Sequence, residues 1–309
     1  MIVTNANDRS DNLTIVKYFN SLTPFNLYNN IPIKGNYPKL LKFQLPECVN
    51  FPQLVKDTEE ALEIYGEWNY RLPDESLKRK DASYGGIGLT YNPFHIDGET
   101  ADVHEQVQGN HKPNTRKDKS LVKGQYNPFS AFGDGINPTI QKNSHYDSYG
   151  FATRTPASKH KSLGTFLDMF DRTMVRTAIR IIYAENEGPV GDDKYAGVTW
   201  HKDEPMPVNL RINIPLVTHP DYVLEQEGFP PIHLETGYAY SWDTETMHRA
   251  YAKTRTAPPR IHLMLGFSCW WDFDETTGVW TTNEFSGKKH PMDMLVDGEV
   301  IPGIKLITD

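Results

Sequence analysis

The chain has 309 residues, a net charge of −8, a hydrophobic fraction of 38% and a mean hydropathy of −0.58. No apolar stretch is long enough to span a bilayer, and the negative charge argues against broad attraction to nucleic acid or an anionic membrane. Two cysteines, Cys48 and Cys269, exclude a disulfide framework, and the first residues lack the basic start and apolar core of a secretion signal. We therefore expect a soluble, cytoplasmic protein that forms a single domain over 1–309.

The first half of the sequence predicts supporting structure. Residues 51–70 carry an amphipathic stripe typical of a helix, and residues 83–94 predict a strand closed by a turn. Residues 100–125 are polar, with clustered lysine and arginine, and predict a loop. We expect 1–150 to form an extension that buttresses the core and supplies loops over its mouth.

The second half predicts one helix and a series of strands. Ser162 is the expected N-cap of a helix over 163–176, and strands are predicted over 177–185 and 195–203. Residues 208–217 alternate strictly between apolar and polar side chains, as in a strand with one face in an apolar core.

Two further segments share this strand character, an aromatic-rich one over 235–252 and an apolar run over 260–271. A small antiparallel barrel or sandwich can bring the polar faces of such strands together around one cavity. The polar positions are Asn209, Arg211 and Asn213 on the strand over 208–217, and Arg260 and His262 on the strand over 260–271. On the second strand, Arg260, His262 and Met264 are expected to share one face. The other face is expected to carry Ile261, Leu263, Leu265 and Phe267.

His201, Asp203 and His248 are the candidate metal ligands. Two imidazoles and one carboxylate hold Fe(II) on one face and leave the opposite positions open for oxygen and a co-substrate. Arg260, twelve residues after His248, carries the forked guanidinium that pairs with carboxylates.

The His-x-Asp pattern is not specific by itself, because it occurs four times, at 95–97, 145–147, 201–203 and 219–221. One alternative combines 145–147 with His201 and Arg211. It ranks lower because the sequence after 147 predicts a helix instead of a strand pair, and because it leaves 237–248 unexplained.

Five segments together carry a family resemblance: H-K-D at 201–203, N-L-R-I-N-I-P-L at 209–216, G-Y-A-Y-S-W-D at 237–243, His248, and R-I-H-L-M-L-G-F at 260–267. They resemble the Fe(II)/2-oxoglutarate-dependent dioxygenases with a double-stranded β-helix (jelly-roll) core. Within these, the chain is most similar to the aspartyl/asparaginyl β-hydroxylase-like group, which includes free-proline hydroxylases.

The resemblance implies a mainly β fold with flanking helices, a jelly-roll catalytic core over 151–285 and a C-terminal extension over 286–309. It implies that His201, Asp203 and His248 bind iron and that Arg260 binds the distal carboxylate of 2-oxoglutarate. Arg211 matches a pocket arginine of the group and is expected to hold co-substrate or substrate. Asn209 and Arg249 are further candidate substrate residues.

The implied reaction consumes O2 and 2-oxoglutarate, releases succinate and CO2, and hydroxylates an unactivated C–H. The expected substrate is an amino acid, a peptide side chain or a small polar metabolite, with no nucleic-acid or membrane partner. Some members of the group lack the acidic ligand, so Asp203 makes this chain more similar to the three-ligand members. Related halogenases carry a small residue in place of the acid, so the resemblance with Asp203 present also argues against halogenation. The alternatives are a cupin-like metal enzyme without oxygenase chemistry and a non-enzymatic jelly-roll binding or structural protein.

Overall fold

The computed structural model describes residues 2–3, 31–65, 68–69, 84–91, 152–185, 196–203, 206–207, 209–276 and 279–308. Over these residues the chain is mainly β, with antiparallel sheets and few helices. The strands are β1 (Ile2–Val3), β2 (Leu40–Gln44), β3 (Trp68–Asn69), β4 (Tyr84–Gly88), β5 (Thr90–Tyr91), β6 (Thr153–Arg154), β7 (Ala178–Ile182), β8 (Gly197–His201), β9 (Leu210–Val217), β10 (Tyr222–Gln226), β11 (Tyr238–Trp242), β12 (His248–Ala252), β13 (Arg260–Phe267), β14 (Trp271–Asp274), β15 (Val279–Thr282) and β16 (Lys305–Leu306). The helices are α1 (Phe51–Tyr65), α2 (Lys161–Leu167) and α3 (Pro291–Val296), with a 3-10 turn at Ala157–Lys159.

Eight strands form a large antiparallel sheet in the order β16-β2-β11-β9-β13-β7-β4-β3, and three form a small sheet in the order β10-β12-β8. From β7 to β13, successive strands fall alternately in the large and the small sheet. Strands β2, β3 and β4 come from the predicted N-terminal extension, so part of that extension belongs to the large sheet. The predicted loop over 100–125 and the alternative ligands at 145–147 lie outside the described residues.

The large sheet has one apolar face, as the alternation in β9 and β13 predicts. Ile212 of β9 and Leu263 of β13 are fully buried in the main hydrophobic core. Helices α1 and α2 belong to the same core through Leu54 and Phe166. Removing apolar surface from water contributes a free energy of about 25 cal/mol per Å². This apolar layer is therefore the main source of stability in the described part of the chain.

The opposite face of the large sheet is its polar face, which carries Arg180 on β7, Arg211 and Asn213 on β9, and Arg260 and His262 on β13. The small sheet packs against this face. Tyr222 of β10 donates its hydroxyl to the carbonyl of Ile182 at 3.0 Å, and Leu224 packs with Trp242 of β11. The polar side chains of the large sheet are therefore enclosed between two sheets.

Both predicted helices are longer in the sequence-based prediction than in the structure. The helix expected over 51–70 ends at Tyr65, because Trp68 pairs with Gly86 in the β3–β4 ladder. The helix expected over 163–176 spans Lys161–Leu167, and Phe170 then packs edge-on against Phe267 with ring centroids 5.1 Å apart. Tertiary contacts therefore override the helical sequence pattern at the C-terminal ends of α1 and α2.

Ser162 is not the N-cap that the sequence predicted, because it lies inside α2. Its backbone N–H donates at 3.1 Å to the buried carboxylate of Asp57 in α1, and its hydroxyl donates to the same group. Gln53 adds a third donor at 2.7 Å. The hydroxyl of Ser162 lowers the pKa of the Asp57 carboxyl. One helix therefore supplies the acceptor for the first turn of the other, which joins α1 to α2.

Helix α3 is tied to the segment 31–65. The buried carboxylate of Asp293 in α3 accepts the backbone N–H of Lys34 at 3.0 Å and the hydroxyl of Tyr37 at 2.8 Å. Burial and this hydrogen bond raise the pKa of Tyr37 to about 12. Among the described residues, no helix combines the length and apolar character needed to cross a bilayer.

Candidate metal centre

Strands β8 and β12 bring the two candidate histidines together. His201 is the last residue of β8 and pairs with His248, the first residue of β12, in an antiparallel register. Asp203 follows two residues later, and its backbone N–H donates to the carbonyl of Thr244 at 3.0 Å. The polar turn before His248 therefore fixes the chain that carries the carboxylate.

The three side chains form a compact donor set. Nε2 of His201 lies 3.8 Å from Oδ1 of Asp203, and Nε2 of His248 lies 3.8 Å from Oδ2. One donor atom from each of the three lies within 4.8 Å of the others, and within the described ranges this is the only such cluster of histidine, cysteine and carboxylate groups. A first-row divalent ion with bonds of about 2.1 Å needs adjacent donors about 3 Å apart, so small side-chain rotations would close the set around it.

His248 is held in the orientation that a metal ligand needs. Its Nδ1 lies 2.9 Å from the carbonyl of Thr246, which accepts only, so Nδ1 carries the proton. Burial lowers the pKa of His248, with His201 and Arg211 acting in the same direction against Asp203. A neutral ring protonated at Nδ1 leaves its Nε2 lone pair free for a metal ion, and a carbonyl partner of this kind is typical of histidine ligands.

The cluster opens to solvent on one side. The side chain of His248 is 5% exposed, that of Asp203 is 20% exposed and that of His201 is 35% exposed. Trp242 closes the inner side, with its ring centroid 5.6 Å from that of His248 at an interplanar angle of 77°. An external ligand therefore reaches the donor set from the His201 side.

Arg211 lies directly behind the carboxylate. Its Nε is 3.8 Å from Oδ2 of Asp203, and its Nη1 donates to the carbonyl of Arg176 at 3.1 Å. Asn209 is fully buried beside it near Gly266. The structure thus places Arg211 in contact with a candidate ligand, Asp203, and places Asn209 beside Arg211 at Gly266.

Arg260 lies farther along the same interior. Its guanidinium is 6.0 Å from the ring of Tyr222 on β10. On the same strand, Gln226 pairs with His248 of β12. Tyr222 precedes Gln226 by four residues, which corresponds to about 13 Å along the strand. Arg260 is buried on the polar face of the large sheet, in the same enclosed layer as the three candidate ligands.

His262 is an interior residue for which no role was predicted from the sequence. It is almost fully buried next to Arg180 in the β13–β7 register. Burial lowers its pKa far below the usual range, and the charge of Arg260 adds to this effect. The imidazole is therefore neutral at physiological pH. The sequence signal was its place two residues after Arg260 on one strand face.

Arg249 is not brought to the site, although it follows His248 directly. It pairs with Glu225 across the β10–β12 ladder at 2.7 Å, and its guanidinium stacks on Trp200 at 4.9 Å and on Tyr251 at 4.6 Å. Successive residues of a strand point to opposite faces, so Arg249 lies on the side of the small sheet away from the ligands.

Comparison with known proteins adds no family to these observations, since no family model and no curated protein matches the chain.

Proposed function

We propose that the protein is a non-heme Fe(II)/2-oxoglutarate-dependent dioxygenase that hydroxylates an unactivated C–H. The observation that carries the proposal is the pairing of His201 with His248 across β8 and β12, with a carboxylate oxygen of Asp203 3.8 Å from each Nε2 atom. Two imidazoles and one carboxylate on one side of a site are the ligand set of non-heme Fe(II) oxygenases. The substrate class we propose is an amino acid, a peptide side chain or a small polar metabolite, handled in the cytoplasm.

A jelly-roll core is the second part of the proposal. It is supported by the alternation of β7 to β13 between the large and small sheets, and by the order β11-β9-β13-β7 facing β10-β12-β8. Such a barrel places side chains from both sheets in one interior, which is where the ligands and Arg260 lie.

Arg260 is the proposed partner of the distal carboxylate of 2-oxoglutarate. A five-carbon dicarboxylate chelated to a metal and paired with a guanidinium spans about 10 Å. Arg260 lies beside Tyr222, and His248 pairs with Gln226, four residues farther along the same strand. The length of the dicarboxylate is of the same order as this separation along β10. A guanidinium can donate two parallel hydrogen bonds to one carboxylate, which suits Arg260 to this role.

When bound to His201, Asp203 and His248, Fe(II) with 2-oxoglutarate would supply oxidative decarboxylation to succinate and CO2 and the oxidant for hydroxylation. The chain's own residues position and shield this chemistry. Thr246 orients His248, Thr244 holds the Asp203 backbone, and the enclosed interior excludes water. The more exposed His201 side would admit the substrate.

The test is an anaerobic titration of the metal-free protein with Fe(II) and 2-oxoglutarate, followed by visible absorption. We expect a metal-to-ligand charge-transfer band that requires both components and is absent in His248→Ala. Binding avoids a false negative from slow turnover without the true substrate.

The other results select the alternatives. Iron binding without the band would favour a cupin-like metal enzyme. No iron binding at all would favour a jelly-roll binding or structural protein.

A further inference from the structure

Arg211 is far less accessible than the carboxylate beside it. Its side chain is 3% exposed, against 20% for Asp203 and 35% for His201. A molecule that enters from solvent on the His201 side meets the metal ligands before it meets Arg211. This arrangement disfavours Arg211 as a receptor for a substrate anion, which is one of the two roles, co-substrate or substrate binding, that the sequence suggested.

We propose instead that Arg211 is a positioning residue that fixes the Asp203 carboxylate for metal binding, an inference that rests on the proposed metal site. Nε of Arg211 lies 3.8 Å from Oδ2 of Asp203, which itself lies 3.8 Å from Nε2 of His248. The carboxylate is therefore placed between a fixed cation and the imidazoles. When one carboxylate oxygen binds a metal ion, the other remains available to the guanidinium.

The guanidinium is itself held in place by the backbone around it. Nη1 donates to the carbonyl of Arg176 at 3.1 Å, and the carbonyl of Arg211 accepts the hydroxyl of Ser241 at 2.8 Å. Arg176 adopts a left-handed backbone with φ of 48°, which is rare for a residue with a side chain. Strained backbone is retained where the surroundings require it, and here the strained residue directs its carbonyl at Arg211.

Gly266 makes room for this arrangement. It pairs with Arg211 in the β9–β13 register. A Cβ at this position would lie 2.2 Å from the carbonyl oxygen of Val175, 2.3 Å from Oδ1 of Asn209 and 3.3 Å from Nη1 of Arg211. Only glycine fits, so the sequence G-F at the end of β13 serves the placement of Asn209 and Arg211.

Asp203 needs an external constraint because it lies beyond the end of β8. Its backbone N–H is tied to Thr244, but the hydrogen bond leaves the side-chain torsions free. A charged partner that orients a metal-bound carboxylate typically changes metal affinity by about 10- to 100-fold when removed. That is the effect we assign to Arg211.

The experiment measures anaerobic binding of Co(II) and Fe(II) to the metal-free wild type, Arg211→Met, Arg211→Lys and Arg249→Met. Arg249→Met is the matched control, since it removes a guanidinium next to His248 in sequence but on the opposite face of the sheet. The visible spectrum of bound Co(II) reports the ligand geometry, and thermal unfolding of each metal-free variant reports whether it is folded.

We expect Arg211→Met to bind both metals about 10- to 100-fold more weakly and to change the Co(II) spectrum. Arg211→Lys retains the charge and should recover part of the affinity. Arg249→Met should match the wild type, and 2-oxoglutarate affinity at saturating metal should be unchanged in Arg211→Lys.

Two results would overturn the positioning role alone: wild-type metal affinity and spectrum in Arg211→Met, or unchanged metal binding with weakened 2-oxoglutarate binding, which would make Arg211 an anion receptor. A wild-type protein that binds neither metal would overturn the metal site and the role of Arg211 together. The two failures are therefore distinct.

Discussion

The two faces of the large sheet are built by the same strands, yet they differ in composition and in what covers them. On β13, Leu263 and Leu265 face the main hydrophobic core, whereas Arg260 and His262 face the small sheet. The apolar face packs against helices and contributes stability. The polar face encloses arginines and histidines, whose burial is costly without partners. The contrast teaches that alternate residues of one strand separate the stability of this protein from its proposed chemistry.

The clearest separation between the effect on metal binding and the effect on stability is expected at His248. His248→Ala should abolish metal-dependent 2-oxoglutarate binding, because it removes one of the three proposed ligands, while the apolar face of the large sheet remains intact. Anaerobic metal titration measures the first effect and urea unfolding the second.

His219→Ala is the matched control, since His219 also belongs to a His-x-Asp sequence but is partly exposed, next to Asp221. Equal loss of metal binding in both variants would show that neither histidine is a specific ligand.

The largest effect on stability is expected on the apolar face of the large sheet. Leu263 is fully buried, and Leu263→Ala should lower the free energy of unfolding by about 2–5 kcal/mol through lost burial and a cavity. Metal affinity measured below the unfolding transition should be unchanged. Urea denaturation and metal titration of the same sample check both statements.

Met264→Ala is the neighbouring control on the polar face, where Met264 is only partly buried. It should cost less stability than Leu263→Ala. The reverse order would contradict the assignment of the two faces.

The sequence predicted this division well because a period of two in β9 and β13 directly encodes which residues share a face. It also selected His201, Asp203 and His248, through motif order and resemblance. It did not predict the ends of α1 and α2, because β3 pairing and the Phe170–Phe267 contact decide them. Such contacts join residues far apart in the sequence, so local propensity carries no record of them.

The arginines show the same limit. Adjacency to His248 suggested Arg249 as a substrate residue, but strand alternation places it on the other side of the small sheet. Motif position suggested Arg211 as a binding residue, whereas its contact with Asp203 and the exposure difference between the two side chains point to a positioning role. Accessibility depends on how two sheets pack, which no single strand pattern contains.

Asp57 tests whether buried polar groups always mark chemistry. It lies on the apolar side of the large sheet, where it accepts hydrogen bonds from Ser162 and Gln53 and joins α1 to α2. Asp57→Asn should lower the free energy of unfolding by about 2 kcal/mol near neutral pH, with metal binding unchanged.

The pH dependence follows from the lowered pKa of Asp57, for which the hydroxyl of Ser162 is the main cause. Stabilisation by the carboxylate is complete above the unfolded-state pKa of about 3.9 and is lost as pH falls through the lower pKa of the folded state. The stability difference between wild type and Asp57→Asn should therefore shrink below about pH 4. Urea midpoints at neutral and acidic pH measure it, with exposed Glu63→Gln on the same helix as the control. A difference that is constant with pH would contradict an ionised Asp57.

The smallest effect is expected at Arg249, the arginine on the outer side of the small sheet. Its pair with Glu225 is about four-fifths buried and is reinforced by stacking on Trp200 and Tyr251. About a fifth of each side chain stays in contact with solvent, which screens the pair, so we expect its loss to cost about 1 kcal/mol and salt to reduce that cost. Arg249→Met should therefore lower stability slightly at low ionic strength and less at high ionic strength, because methionine keeps much of the apolar contact with both rings. Urea unfolding at two salt concentrations measures the change. If Arg249→Met lost as much unfolding free energy as Leu263→Ala, the outer face of the small sheet would be as important for stability as the apolar face of the large sheet. Stability and the proposed chemistry would then no longer be separated by strand face.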